Sequence, residues 1–194
     1  MRKNHRSGFT LVETLVSILI LVIMVAATTT GMNAAVRIYK EATFHANSAT
    51  LESMLRATLE DLLSYAQDVQ TRPAAGNAEG NFLYTNYEYG VQDAYLRLNT
   101  TKTDGSPIQM VNQETGEARD LMNTGAYPML TIRTPESGNW VVYGIPADAP
   151  AGSTEKVFTY NFTIVSQQDP NMTREVSGTI YLLNPEKTTE PTTT

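Results

Sequence analysis

The chain has 194 residues, with 14 Lys and Arg against 20 Asp and Glu, a formal net charge of -6, 41% hydrophobic and 18% charged residues. This composition supports one packed domain of ordinary size and excludes global disorder, and its acidic balance disfavours broad electrostatic binding to nucleic acid. Cysteine is absent, which excludes disulfides, zinc–thiolate and iron–sulfur sites, and thiol catalysis together.

The first element follows a short basic stretch, Arg2, Lys3 and Arg6, and carries no charge over the 23 residues from Thr14 to Val36. As a helix this run spans about 35 Å, enough for a hydrocarbon core of roughly 30 Å. The preceding basic residues predict a cytoplasmic N-terminus, with the bulk of the chain on the far side of the membrane. A secretory signal peptide opens in the same way, and Ala26-Ala27 would be its cleavage region. Against that stand Glu13, near the start of the apolar run, and a helix-compatible pattern that continues well past Ala27.

Glu13 is the unusual residue. A charge at mid-bilayer costs roughly 2.5–3.5 kcal/mol on insertion scales, and less near an end. No basic residue within the apolar run can partner it. From the residues alone two readings stand: the carboxylate reaches the headgroups or is protonated, or it meets a partner from outside the run.

Gly8-Phe9-Thr10-Leu11-Val12-Glu13, followed by Thr14-Leu15-Val16-Ser17, resembles the processing site of type IV prepilins and pseudopilins. The shared features are a short basic leader, Gly before the cut, Phe after it, Glu at the fifth position counted from Phe9, and an unbroken apolar helix. The resemblance covers about thirty residues. It implies cleavage between Gly8 and Phe9 by a prepilin peptidase on the cytoplasmic side, and methylation of the new Phe9 amine by the same enzyme class. Without the first eight residues the side chains count 11 positive and 20 negative, or -9. The resemblance also implies a partner for Glu13, the Phe9 amine of a neighbouring subunit in a filament. Leu15 to Ala27 would form the filament core. Other implied partners are further copies and related pilin subunits, the membrane, and indirectly an assembly platform and its ATPase. The implied localisation is the cell membrane, single-pass, and then a cell-surface or extracellular filament.

Past Gly31, the residues Leu51, Met54, Leu55, Thr58, Leu59, Leu62, Leu63, Ala66 and Val69 recur in steps of three and four, the stripe of a helix with one buried face. The stripe is broad and the heptads few, which favours packing against a domain over a coiled-coil seam. Arg72-Pro73 predicts the stop. Gly31 and the three threonines before it form a weak point, and the chain lacks the proline that some relatives carry in this part of the helix. His45, the one histidine outside the leader, reads as a surface or packing residue.

The remainder reads as a β-rich domain. Its start is loop-like, and Tyr84, Tyr87, Tyr89 and Tyr95 are spaced irregularly, as half-buried sheet residues or as a stacking surface for sugars or bases. Strands are expected at 107–111, 129–133, 140–145, 157–165 and 174–183, with a turn at 112–117, another at 135–139 between its two flanking strands, and a hairpin loop at 167–171. The expected fold is α+β, a long N-terminal helix whose C-terminal half carries an antiparallel sheet. The segments are then 1–8 leader, 9–31 membrane and filament-core helix, 32–72 amphipathic continuation, 73–184 β-rich domain and 185–194 disordered tail.

No catalytic constellation emerges, since a triad needs a histidine base and only His45 is available. There is no GxGxxG, P-loop or HExxH pattern. Asp104-Gly105-Ser106 and the set Asn112, Glu114 and Glu117 offer oxygen ligands, but not with the spacing of an EF-hand loop. No cofactor or metal is expected. Asn99, Asn161 and Asn171 open glycosylation sequons that chance explains. The sequence therefore reads as a non-enzymatic filament subunit. A single-pass anchor carrying a non-polymerising extracellular binding domain is the second reading, and a membrane-anchored hydrolase using carboxylate pairs the third. A Gly8→Val chain should remain uncut, with mass spectrometry finding the leader still attached; a mature N-terminus at Phe9 in that variant refutes the assigned bond.

Overall fold

The computed structural model describes residues 10–99, 108–122 and 129–183. Gly8, Phe9, Asp104-Gly105-Ser106 and the tail from 185 lie outside the described residues. Contacts divide the chain into two units, Met1–Thr43 and Phe44–Thr194.

Helix α1 runs from Leu11 to Ser64. In the first unit its large apolar side chains, Leu11 to Val25 and onward, are exposed, and no residue of this part is buried. In the second unit its inward face is Phe44, Ser48, Leu51, Leu55, Leu59, Leu62 and Leu63, a three-and-four spacing that puts all seven on one side. The expected stripe is thus present, but Met54 lies off it, 42% exposed.

The helix was expected to reach about Val69 and ends five residues earlier. Ser64 Oγ donates to the Glu60 carbonyl, and Ala66 N–H closes a tighter turn on Leu63 O at 3.2 Å. Asp68 then adopts φ 50°, left-handed backbone that no helix continues. Residues Gln67–Thr71 form strand β1 instead, because a neighbouring strand, β2 (Phe82–Asn86), completes their hydrogen bonds. Arg72-Pro73 therefore closes a strand rather than a helix; Arg72 N–H still donates to Asn81 O at 2.7 Å, and Pro73 has no donor to continue.

One antiparallel sheet was expected on the helix; among the described residues there are two. The first takes β1, β2, β3 (Val91–Leu98), β4 (Ile108–Asn112) and β5 (Ala118–Asp120) in sequence order. The second is built around β8 (Val157–Ser166), which β9 (Thr173–Ile180) pairs along one edge. β6 (Leu130–Arg133) and β7 (Val141–Gly144) pair opposite halves of the other edge of β8. The 135–139 turn accordingly joins two strands that do not pair with each other. The 167–171 loop does close a hairpin, with Ser166 N–H donating to Met172 O at 3.0 Å.

The two sheets and the helix share one core that includes Phe82, Tyr84, Leu96, Trp140, Phe158, Phe162 and Ile164. Phe158 holds it together, its ring 4.7 Å from Phe82 of the first sheet and 4.8 Å from Tyr143 of its own. A seam of amide bonds joins the sheets at the surface. Asn139 Nδ2 donates to Gly76 O and Glu79 O, each at 2.9 Å, and Tyr143 N–H donates to Asn81 Oδ1 at 2.8 Å. Under the same loop, Arg72 pairs with Glu79 at 2.8 Å and lies 3.9 Å above the Tyr95 ring.

Gly178 faces Tyr160 across the β8–β9 ladder. The tyrosine ring folds over the glycine, so that an added Cβ would sit 2.9 Å from Cε1 and 2.5 Å from Cζ. Gly178→Ala should therefore cost about 1–3 kcal/mol in urea unfolding of the detergent-solubilised chain. Adding Tyr160→Ala should make the pair clearly non-additive; strict additivity would contradict the ring-over-glycine packing.

Candidate N-terminal processing and assembly site

Glu13 lies in the first turn of α1, and the structure gives it a partner within its own chain. Its Oε2 accepts the Thr10 backbone N–H at 2.9 Å and the Thr10 hydroxyl at 3.0 Å. Thr10 Oγ1 in turn accepts the Glu13 backbone N–H at 3.3 Å. This is a reciprocal capping box, Thr at the N-cap and Glu at the third helical position. It answers the first question about Glu13: the carboxylate satisfies two donors at the start of the helix, where the helix dipole also favours negative charge. The Thr-x-x-Glu spacing before an apolar run is the sequence signal of such a box.

The polar side chains farther along the run are handled in the same local way. Ser17 Oγ donates to Glu13 O at 2.7 Å, and Thr14 Oγ1 to Leu11 O at 2.9 Å. Thr28, Thr29 and Thr30 donate to the carbonyls of Met24, Val25 and Ala26 at 2.8–2.9 Å. Each hydroxyl takes its bond from the preceding turn, so none needs water. The segment around Gly31 stays helical; the weak point expected there leaves no break in the chain's own structure. Among the described residues α1 is the one helix long and apolar enough to cross a membrane.

Among the described residues the candidate sites of the β domain do not assemble. Asn112 Oδ1 is occupied by Glu114 N–H, Thr115 N–H and the Thr115 hydroxyl at 2.8–3.1 Å, so it holds its turn rather than an ion. Among the described residues no three His, Asp or Glu side chains are grouped to hold a metal. His45 is exposed, its ring 5.6 Å from Phe44. The four tyrosines scatter. Tyr84 is fully buried and its hydroxyl pKa is pushed up by that burial. Tyr95 lies under Arg72, and Tyr87 and Tyr89 are exposed, with Tyr89 donating to Asp61. They form no single stacking platform.

Removing the Thr10 hydroxyl without changing its shape, as in Thr10→Val, should weaken the first turn by about 1 kcal/mol. Amide exchange at residues 12–14 in detergent micelles should then rise roughly five-fold; unchanged exchange would mean that the box contributes nothing.

No curated protein matches the chain, and no solved structure does. Residues 3–29 match the prokaryotic N-terminal methylation motif. That stretch takes in most of the basic leader, the Gly8–Phe9 bond, the Thr10–Glu13 box and most of the apolar run, and it identifies the N-terminus as a type IV prepilin-type signal.

Proposed function

We propose that the chain is a structural subunit, a pilin or pseudopilin, of a type IV pilus-like filament. The observation that carries this reading is the coincidence of the methylation motif at residues 3–29 with the start of a helix long and apolar enough to span a membrane. A prepilin peptidase cuts between Gly8 and Phe9 on the cytoplasmic side and methylates the Phe9 amine. The β-rich domain lies beyond the membrane. In the filament, Leu15 to Ala27 exchange lipid for contacts with other copies and related subunits, driven by an assembly platform and its ATPase. The subunit's contribution is packing, not catalysis.

Glu13 sets the axial register in this scheme. Cutting leaves a charged amine at Phe9, four residues from Glu13, and in an assembled core without water either charge left alone costs several kcal/mol. A subunit displaced along the axis leaves both unpaired and is rejected. The capping box supports this reading, since it keeps Glu13 hydrogen-bonded before a neighbour arrives, with Thr10 as a partner that an amine can replace.

Mass spectrometry of the mature chain tests the processing: a methylated Phe9 is expected, while an intact Met1 or a cut near Ala27 would overturn the reading in favour of a membrane-anchored domain that does not polymerise. Glu13→Ala should still be cut at Phe9 yet enter filaments at least about ten-fold less, since a loss of about 1.4 kcal/mol already gives that factor. Wild-type incorporation would sink the pairing.

A further inference from the structure

Beyond the apolar run, α1 carries large side chains that nothing covers. Tyr39 is 72% exposed and Ile38 65%, although the first buried residue, Phe44, is still ahead. Two cations flank them. Arg37 is committed to Glu41, Nε to Oε1 at 2.9 Å. Lys40 is exposed and has no ion-pair partner among the described residues. Val36, Tyr39, Lys40 and Thr43 fall at steps of three and four, so they lie on one side of the helix. That side joins the end of the uncharged run to an amphipathic ring and an uncompensated ammonium.

The spacing to Glu13 gives this side its occupant. At 1.5 Å per residue, Tyr39 lies about 39 Å along the helix from Glu13, close to the roughly 40–45 Å between the outer limits of the two headgroup layers. Tyrosine is favoured at that level, its amphipathic ring among the headgroups. Lysine extends an apolar stem there with its charge at the phosphates.

We propose that Tyr39 and Lys40 form an anchor in the headgroup layer of the far leaflet, with Lys40 on phospholipid phosphate, and that this anchor holds the Thr10–Glu13 turn at the opposite headgroup layer. The inference rests on the membrane-spanning part of the function proposed above. It gives the unassembled subunit a fixed depth, so that Glu13 waits in a polar layer and enters an apolar surrounding only when the anchor is released.

The test uses the full chain in phosphatidylcholine vesicles containing phosphatidylglycerol. Because the chain has no cysteine, Ala35→Cys provides one labelling position, next to the end of the run, for an environment-sensitive fluorophore. The readout is the ratio of quenching by lipids brominated near the headgroup to quenching by lipids brominated at the bilayer centre, which does not depend on orientation in the vesicle. The label should favour the headgroup-proximal quencher. Tyr39→Ala with Lys40→Glu should lower the ratio at least two-fold, whereas Tyr39→Phe with Lys40→Arg should keep it. An unchanged ratio in the first pair, with the chain still floating with vesicles, overturns the anchor alone. A wild-type chain that does not float with vesicles overturns the membrane-spanning reading and the anchor with it.

Discussion

A peptide group inside an apolar layer has no water to bond, and this requirement governs the first half of α1. The sequence meets it by remaining helical without interruption from Leu11 and by returning every side-chain hydroxyl along the run to a carbonyl one turn back. At the helix start, where the turns give out and backbone N–H groups are left over, Thr10 and Glu13 close the account. The carboxylate that looked costly in lipid is thus part of the solution for the segment that contains it. In the proposed filament it is also the group that exchanges Thr10 for a neighbour's Phe9 amine.

The second half of α1 faces the opposite demand. Its leucines need cover, and two small sheets supply it where one was expected. Neither sheet alone encloses the stripe: Phe82, Tyr84 and Leu96 come from the first, Phe158, Phe162 and Ile164 from the second, and Trp140 enters from the segment before β7. Close aromatic contacts carry the joint, with Phe158 between Phe82 and Tyr143. Such rings bury large areas and prefer tilted or edge contacts, which suits a corner between layers.

Much of this could be read from the residues. The apolar run, the leucine stripe from Leu51 to Leu63, and the strands at β6 to β9 follow from periods of three to four and of two. So does the α+β layout. What escaped had non-local causes. Gln67–Thr71 continues a helical pattern, but it pairs with β2, eleven to eighteen residues away, and no local signal announces that partner. The 135–139 turn has the composition of a hairpin turn, yet β6 and β7 each find a longer partner in β8. Nothing local in the strand pattern marks Gly178 as the space that Tyr160 occupies. At the N-terminus the prepilin-type signal was legible in the residues, whereas the role of Thr10 emerged from the hydrogen bonds.

The amide seam between the sheets has a consequence for how the domain comes apart. Asn139 precedes Trp140 and β7, and its side chain bonds the carbonyls of Gly76 and Glu79 on the approach to β2; Trp140 N–H bonds Asn77 O at 3.0 Å from the same place. Loosening the first sheet therefore removes acceptors from the second, and withdrawing Trp140 opens the core beneath both. The two sheets are separate in topology but act as one cooperative unit, so the domain has no stable half-unfolded form in which one sheet survives without the other.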